Sequence, residues 1–400
     1  MSPGGRVRLA IVGGRRGGSF HTALDVLADK VELAAICDPD EAVRRQWAEH
    51  HPHVRRFERY EDLLEWDGCN AVLLATPLQL HARQSVQAMT AGKHVLSEVV
   101  AATTLDECWE LVETVEKTGM TYMMAENYCY MRPNMMVLNM VSQGLFGDII
   151  HAEGAYIHDT RDLAVRPDGS LTWRGELHRD FSRNRYPTHS LGPVAQWLGI
   201  NRTDRFVSTV TLVSDPFGLR RYVRDHFGDR HPGARPGFFQ QGDSAVSLLR
   251  TEKGALVVIR VDSCSPRPHN MTHYALQGVT GSYLSPRYHG EDPLIWLEGR
   301  SQGYTDGKPP KWDSLWKYAD EFEHPRWKQW GEQASRAGHG GGDFFVIEDF
   351  VNAVLGGTPP PIDVYDAVTW SSLIPLSQES VAKGGSAVEV PYFAARRKKS

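Results

Sequence analysis

The chain has 400 residues, of which 41% are hydrophobic and 23% charged, so it can bury the cores of about two domains. The 44 Lys and Arg against 49 Asp and Glu give a formal net charge of −5, which excludes nucleic acid as the main partner because there is no positive field to hold a polyanion. No stretch reaches about 18 apolar residues, and we therefore expect no membrane-spanning segment.

Short apolar runs alternate with helix-like segments in the first hundred residues. The first run ends in the glycine-rich turn Gly13–Gly18 and is followed by a predicted helix over 19–27. The four runs are Val7–Val12, Val31–Cys37, Ala71–Ala75 and His94–Ser97. Strands that alternate with helices predict an α/β domain with a parallel, doubly wound sheet.

A further helix is predicted to complete this first domain. Thr104 and Glu107 have the spacing of a capping box, and an apolar helical face continues up to Gly119. We place the first domain at residues 1–126.

Residues 127–400 predict a second domain of the α+β class. Its long apolar-polar runs lack intervening helices, which favours an open, largely antiparallel sheet. Helices predicted over 344–355 and 364–382 are expected to pack back on the first domain. The predicted strands are Ile149–Ile157, Arg205–Val213, Ser244–Leu249, Ala255–Val261 and Tyr274–Val279.

The segment 214–241 has five arginines between two of these strands. It is either a solvated loop or a cover over the site that favours an acidic substrate.

The five cysteines have no C-x-x-C spacing, and the N-terminus lacks the features of a secretory signal. Reduced thiols and a cytoplasmic location are the expectation.

The glycine-rich turn predicts a dinucleotide site. A strand, a glycine turn and a helix together present backbone N–H groups to a pyrophosphate. Gly13 and Gly18 match the outer glycines of G-x-G-x-x-G, whereas Arg15 occupies the middle position and, with Arg16, is a candidate phosphate contact. Asp38, at the end of the second run, is placed to bind the adenosine ribose and to favour NAD over NADP.

Polar residues also follow two later strands. Thr76 and Glu98 lie where a doubly wound sheet presents its carboxyl edge to a ligand, although either side chain can simply cap a turn.

This order of elements resembles the glucose-fructose oxidoreductase and inositol dehydrogenase superfamily, which joins a Rossmann domain to an open-sheet domain. Two of its motifs are altered here. The Glu-Lys-Pro motif is Glu98-Val99-Val100, and the aspartate four residues before the catalytic histidine is Arg185.

The remaining motifs are similar to those of glycoside hydrolase family 109, the NAD-dependent α-N-acetylgalactosaminidases. The resemblance covers most of residues 7–392. The stretches that carry it are 126–130 (ENYCY), 144–147 (GLFG), 153–159 (EGAYIHD), 186–194 (YPTHSLGPV), 338–344 (GHGGGDF), 364–367 (VYDA) and 375–377 (PLS).

The resemblance implies a chemistry in which NAD is recycled. The sugar hydroxyl at carbon 3 is oxidised, the glycosidic oxygen is eliminated, water adds and the hydride returns. It implies His189 in proton transfer, Tyr156 as acid or base at carbon 2 and Tyr186 in substrate positioning. Glu126 is expected to orient the nicotinamide or a sugar hydroxyl, and His178 to face the sugar.

Each of these residues also has an interpretation in which it plays no part in the reaction. Tyr156 could lie on the wrong face of its strand, Glu126 could pair with a cation, and His178 could be a surface residue. Because the histidines lack compact ligand spacing, no metal is expected.

Two departures from the family pattern concern the substrate. Arg183 replaces a glycine before Asn184, and His269 follows the region in which the family has a sugar-contacting tyrosine.

The expected function is a glycosidase that acts on a small carbohydrate and forms a homo-oligomer. The alternatives are an NAD-dependent sugar dehydrogenase and a catalytically silent nucleotide sensor or scaffold.

Overall fold

The computed structural model describes residues 5–268, 272–304 and 307–396. The chain divides into two compact units. The first comprises the chain up to Arg132, the segment Pro325–Ser372 and the stretch from Phe393, and the second comprises Pro133–His324 and Leu373–Tyr392. The domain boundary that we predicted after residue 126 stays a prediction.

The first unit is built on a parallel sheet, as the alternating runs predicted. Among the described residues it has six strands in the order β3-β2-β1-β4-β5-β6. This is the doubly wound order, in which the chain reverses direction beside β1. The strands are β1 (Val7–Val12), β2 (Val31–Cys37), β3 (Arg55–Phe57), β4 (Ala71–Leu74), β5 (His94–Ser97) and β6 (Tyr122–Met124).

Helices flank this sheet. The predicted capping box is present at α6, where the Thr104 hydroxyl accepts from the backbone of Glu107 and the Glu107 carboxylate accepts from the backbone of Thr104. The helices are α1 (Gly14–Gly17), α2 (His21–Val26), α3 (Glu41–His50), α4 (Tyr60–Leu64), α5 (His81–Thr90), α6 (Leu105–Thr118) and, late in the sequence, α12 (Pro325–Ala334), α13 (Gly342–Gly356) and α14 (Val364–Ser371).

The second unit is built on an open sheet, again as predicted. The described residues form nine strands, and every pairing is antiparallel except that between β7 and β10. The strands are β7 (Ile149–Ile157), β8 (Phe206–Val213), β9 (Ser244–Thr251), β10 (Leu256–Asp262), β11 (Thr272–Gly278), β12 (Gly281–Leu284), β13 (Leu294–Leu297), β14 (Asp313–Ser314) and β15 (Val388–Glu389).

One face of β7 is covered by a helix. The helices of this unit are α7 (Arg132–Ser142), which starts at the last residue of the first unit, α8 (Trp173–Asp180), α9 (Thr188–Trp197), α10 (Phe217–Phe227), α11 (Ala319–Phe322) and α15 (Leu373–Ala382). A Cβ on Gly154 of β7 would lie only 2.0 Å from the carbonyl oxygen of Ser190 in α9. The absence of a side chain at Gly154 therefore allows α9 to lie directly on the strand.

Two predicted segments differ from the structure. Residues 364–382 form two helices, α14 and α15, because Pro375 has no N–H to continue a ladder onto the carbonyl of Ser371. The segment 214–241 is not an irregular loop, since it contains α10, whose Leu219 and Val223 are fully buried.

All five cysteines are buried and unpaired. The cytoplasmic location predicted from them stays a prediction. None of the helices in the described part of the chain combines the length and apolar character needed to cross a membrane.

The contact between Gly154 and Ser190 predicts the effect of one added methyl group. Gly154→Ala should destabilise the protein by about 1–3 kcal/mol, because the Cβ overlaps backbone that cannot move without lifting α9. Denaturant unfolding measures this change. Gly303→Ala is the control, since no atom lies within 4 Å of a Cβ at that position. Equal stability of the two variants would contradict this account of the packing.

Candidate active site

The glycine-rich turn of the first unit holds the chain close to the neighbouring strand. Gly13 has φ of 93°, and a Cβ there would lie 2.5 Å from the carbonyl oxygen of Ala75, just after β4. Only glycine satisfies both conditions. Gly18, by contrast, has helical backbone angles, and a Cβ there would find its nearest neighbour at 3.9 Å. The first glycine is thus required by the fold, and the last one leaves open space beside the turn.

Asp38 binds the same turn from the end of β2. Its Oδ2 accepts from the backbone N–H of Gly14 at 2.8 Å, and its Oδ1 accepts from the N–H of Asp40 at 2.9 Å. A carboxylate has about four acceptor positions, so two remain for the hydroxyls of a ribose. Arg15 extends to Asp40 at 2.6 Å, and this ion pair lowers the pKa of the Asp40 carboxyl.

Charged and polar groups connect the ends of the strands. Arg16 lies 2.6 Å from Oε1 of Glu98, which is buried just after β5. Thr76 donates from its hydroxyl to Gln84, and its carbonyl oxygen lies 2.9 Å from Nε2 of His81. Each of these predicted residues therefore has a partner within the first unit, at the carboxyl edge of the sheet.

Two of the family-like stretches meet in this unit. Glu126 is fully buried, and its Oε1 accepts from the backbone N–H of Tyr128 at 3.2 Å. Asn127 donates to Asp343 at 2.7 Å, and the other oxygen of Asp343 lies 2.9 Å from Nδ1 of His339. No local pattern indicated this connection, because more than 200 residues separate Asn127 from Asp343.

These features fit a bound dinucleotide. The close turn at Gly13 and the free acceptor positions of Asp38 match the needs of a pyrophosphate and a ribose. The bound cofactor would therefore be held by the turn and by Asp38.

The second unit brings together four rings. The ring centroid of Tyr156 lies 5.0 Å from that of His189, 5.6 Å from that of Tyr186 and 5.6 Å from that of His158. The rings of Tyr186 and His189 are 5.1 Å apart. Three of these four were predicted as site residues, whereas His158 was not. We call these four residues the ring cluster.

The position of α9 explains why the rings of the cluster lie close together. Tyr156 shares a face of β7 with Gly154, the residue that α9 covers, and therefore lies on the face of the strand that meets the start of α9. His189 lies in the first turn of α9, and its carbonyl oxygen accepts from the hydroxyl of Tyr274. The side chain of Ser190 donates to the carbonyl of Arg260 at 3.1 Å. The start of the helix is thus fastened to two strands.

The segment before α9 is fastened by Asn184. Its side chain donates to Ser247 at 3.1 Å, and its backbone N–H donates to Ser377 at 2.8 Å. Ser377 belongs to the family-like stretch 375–377, so this stretch supports the segment that carries Tyr186. Arg183, the departure from the family pattern, stacks on Phe181 at 3.9 Å and donates to Gln378 at 3.3 Å.

His178 is a buried residue in the last turn of α8, not a surface residue. Burial lowers the pKa of its imidazole well below the ordinary value, and the nearby positive charge of Arg185 lowers it further. The ring is therefore neutral at physiological pH. His269, the other predicted substrate residue, lies outside the described residues.

Two arginines that we did not predict as site residues interact electrostatically with the ring cluster. Arg185 donates to Ser263 at 3.3 Å and to Thr160 at 3.2 Å. Burial lowers the pKa of Arg185 and that of Arg174, and both guanidinium groups interact electrostatically with Tyr156 and Tyr186. The signal in the sequence was the position of Arg185 directly before the Tyr-Pro-Thr-His stretch. No group of three potential metal ligands occurs within the described ranges.

Comparisons with known proteins agree with these observations. Residues 7–126 match the oxidoreductase family with an NAD-binding Rossmann fold, and residues 130–399 match the C-terminal domain of glycosyl hydrolase 109. A glycosyl hydrolase family 109 protein of Solibacter usitatus is 37% identical, with 98% of this chain and 89% of the relative covered. An alpha-N-acetylgalactosaminidase of Shewanella oneidensis is 34% identical, with 97% of this chain and 85% of the relative covered.

Solved structures show the same fold. A levoglucosan dehydrogenase in complex with NADH superposes with a TM-score of 0.77 at 18% identity, with 97% of this chain and 100% of that chain covered. An oxidoreductase domain protein from Kribbella flavida superposes with a TM-score of 0.74 at 20% identity, with 96% of this chain and 99% of that chain covered.

Asp38 provides the test of the cofactor site. Asp38→Asn should weaken NAD binding by at least about tenfold, the equivalent of one charged hydrogen bond. The variant should also discriminate less against NADP, because the negative charge that repels a 2′-phosphate is gone. Fluorescence titration with both dinucleotides measures the two effects. Asp62→Asn, at an exposed position of α4, serves as the control. An unchanged NAD affinity in Asp38→Asn would remove Asp38 from the site.

Proposed function

The chain belongs to glycosyl hydrolase family 109, and from this membership we propose that it is an NAD-dependent glycosidase that hydrolyses its substrate without net oxidation or reduction. The observation that carries the proposal is the ring cluster, which offers phenol and imidazole groups for moving protons. The Rossmann domain of the same chain supplies the binding site for NAD.

The proposed reaction has four steps. The hydroxyl at carbon 3 of the sugar loses a proton and the carbon loses a hydride, which gives a ketone. The ketone acidifies the hydrogen on carbon 2, which leaves as a proton while the bond from carbon 1 to the glycosidic oxygen breaks and that oxygen takes up a proton. Water then adds to carbon 1 as a proton returns to carbon 2, and the hydride returns to carbon 3 as a proton returns to its oxygen. NAD supplies a hydride acceptor that is restored at the end of each cycle.

The ring cluster provides the groups that these proton movements need. We assign proton exchange with the hydroxyl at carbon 3 to His189, because one nitrogen of a neutral imidazole accepts a proton while the other donates one. Tyr156 is assigned to carbon 2 and to the departing oxygen. Tyr186 is assigned to positioning, because its ring contacts both of the others.

Glu126 and His178 have supporting roles in this proposal. The fully buried Glu126 orients the nicotinamide, and the neutral His178 hydrogen-bonds the sugar without adding charge. The substrate is proposed to be a glycoside related to N-acetylgalactosaminides, since the Shewanella oneidensis relative carries the name alpha-N-acetylgalactosaminidase.

The proposal also includes self-association through an exposed apolar face of the open sheet. Leu212, Val246, Leu248 and Leu256 are each more than a third exposed, on three neighbouring strands. A surface of this kind is typical of protein contacts.

A nitrophenyl glycoside panel followed at two wavelengths tests the reaction. We expect nitrophenol release with no accumulation of NADH, and incorporation of solvent deuterium at carbon 2 of the sugar. His189→Ala should lose at least about a hundredfold in kcat, the usual contribution of a general acid or base, while NAD affinity is unchanged. NADH formed in proportion to the sugar, without nitrophenol, would identify a dehydrogenase instead.

Light scattering of the purified protein tests the self-association. A mass of two or more chains is expected for the unmodified protein, and Leu248→Glu should lower it, because a carboxylate would be buried in the contact. Leu80→Glu introduces the same charge at an exposed position of the first unit and is the control. A single-chain mass for the unmodified protein would refute this part of the proposal.

A further inference from the structure

A histidine and a buried carboxylate form a pair at the start of α13 in the first unit. Nδ1 of His339 lies 2.9 Å from Oδ2 of Asp343. The carboxylate is fully buried, whereas 26% of the His339 side chain is exposed, so the imidazole is anchored at one end and accessible at the other. Neither residue was predicted as a site residue, although both lie in the family-like stretch 338–344.

The carboxylate fixes the position of the proton on the imidazole. An ionised carboxylate only accepts hydrogen bonds, so Nδ1 of His339 is the donor to Asp343. In the neutral ring, Nε2 then has a lone pair and acts as an acceptor. Among the described residues, no group donates a hydrogen bond to this nitrogen. The pair thus presents one oriented acceptor to its surroundings.

His339 has this position in spite of an unfavourable backbone conformation. Its φ is 51°, and within the described ranges Asn201 is the only other residue besides glycine that has a positive φ. A left-handed backbone brings the Cβ too close to the following carbonyl oxygen, so glycine would be favoured there. Residues that persist in this conformation are concentrated at binding and catalytic sites. The imidazole is therefore expected to have a role that a glycine could not fill.

Contacts on two sides place His339 beside the cofactor site of the same unit. A Cβ on Gly338, the preceding residue, would lie 3.9 Å from the carbonyl oxygen of Ser19, which directly follows the glycine-rich turn. The hydroxyl of Ser19 accepts from Arg16 of that turn at 2.9 Å. On the other side, the ring centroid of His339 lies 6.2 Å from that of Tyr128, which follows β6. His339 therefore lies between the turn after β1 and the segment after β6.

The order of the strands indicates which half of the dinucleotide His339 meets. Asp38 at the end of β2 is the predicted partner of the adenosine ribose, and the turn after β1 is that of the pyrophosphate. β4, β5 and β6 follow β1 on the side away from β2, so the nicotinamide half extends over their carboxyl ends. His339 belongs to that side of the turn. The ribose of the nicotinamide half has two hydroxyl groups, each of which can donate a hydrogen bond.

We propose that Nε2 of His339 accepts a hydrogen bond from a hydroxyl of the nicotinamide ribose of bound NAD. His339 is thus a cofactor-binding residue, and Asp343 is a positioning residue that holds the imidazole in the required tautomer. Asn127 in turn holds Asp343 through its hydrogen bond to the other carboxylate oxygen. The inference concerns the cofactor alone and does not depend on the glycosidase reaction proposed above.

Nucleotides of increasing length locate the contact. AMP, ADP, ADP-ribose and NAD are titrated calorimetrically into the protein after removal of bound nucleotide. ADP-ribose differs from ADP only by the ribose that carries the nicotinamide in NAD. His339→Asn should weaken the binding of ADP-ribose and of NAD at least about fivefold, the equivalent of one hydrogen bond, and leave the affinities for AMP and ADP unchanged. Asparagine tolerates the left-handed backbone and its amide can still donate to Asp343, but it has no atom at the position of Nε2.

Two results would overturn the proposal. Unchanged affinity of His339→Asn for ADP-ribose would show that the imidazole does not contact the ribose. An equal loss for ADP and ADP-ribose would show that a protonated ring donates to the pyrophosphate instead. His53→Asn, at an exposed position before β3, is the matched control and should bind all four nucleotides like the unmodified protein. Thermal unfolding establishes that each variant is folded.

Two further variants test the role of the tautomer. Asp343→Asn keeps the shape of the side chain and can still accept from Asn127, but its amide N–H donates to Nδ1 of His339 and moves the ring proton to Nε2. It should therefore lose affinity for ADP-ribose, but not for ADP, as His339→Asn does. His339→Gln places an oxygen acceptor near the position of Nε2 and should recover part of the affinity for ADP-ribose. Asp343→Asn with the original affinity for ADP-ribose, or His339→Gln no better than His339→Asn, would refute the assigned acceptor.

Discussion

The close approach of α9 to β7 is the constraint on which the ring cluster depends. A Cβ on Gly154 would lie 2.0 Å from the carbonyl oxygen of Ser190, so the helix touches the strand only because that side chain is absent. Tyr156 lies two residues further along the same face, and His189 directly precedes Ser190. One backbone contact therefore sets the 5.0 Å distance between the rings of Tyr156 and His189.

In the first unit, two further glycines likewise allow a close contact with backbone from another part of the chain. Gly13 allows the turn after β1 to approach Ala75, and Gly342 allows α13 to begin against the carbonyl oxygen of Asn127, which would lie 2.2 Å from a Cβ on that glycine. The second contact is reinforced by the hydrogen bond from Asn127 to Asp343. In each case a missing side chain lets backbone from a distant part of the sequence support a residue that we predicted to bind the cofactor, Asp38 in the first case and Glu126 in the second.

Charge is distributed differently in the two units. In the first unit, the positive groups Arg15 and Arg16 are paired with carboxylates. In the second unit, Arg174 and Arg185 interact with phenols and hydroxyls. The charges of Arg15 and Arg16 are thus neutralised within the first unit, whereas Arg174 and Arg185 have no carboxylate partner among the described residues.

Much of this protein could be predicted from the sequence, because the signals are local. The alternating apolar runs predicted the parallel sheet, and the Thr104 capping box predicted α6. The Tyr-Pro-Thr-His stretch singled out Tyr186 and His189, whose ring centroids lie 5.1 Å apart in the structure, and their roles stay a prediction. The tertiary structure decided what depends on distant partners: the break before Pro375, the burial of His178, the bond from Asn127 to Asp343 and the uncharged partners of Arg185. The physical reason is that the environment of a polar group, its burial and its counter-charge, is set by residues far away in the chain, which no local pattern records.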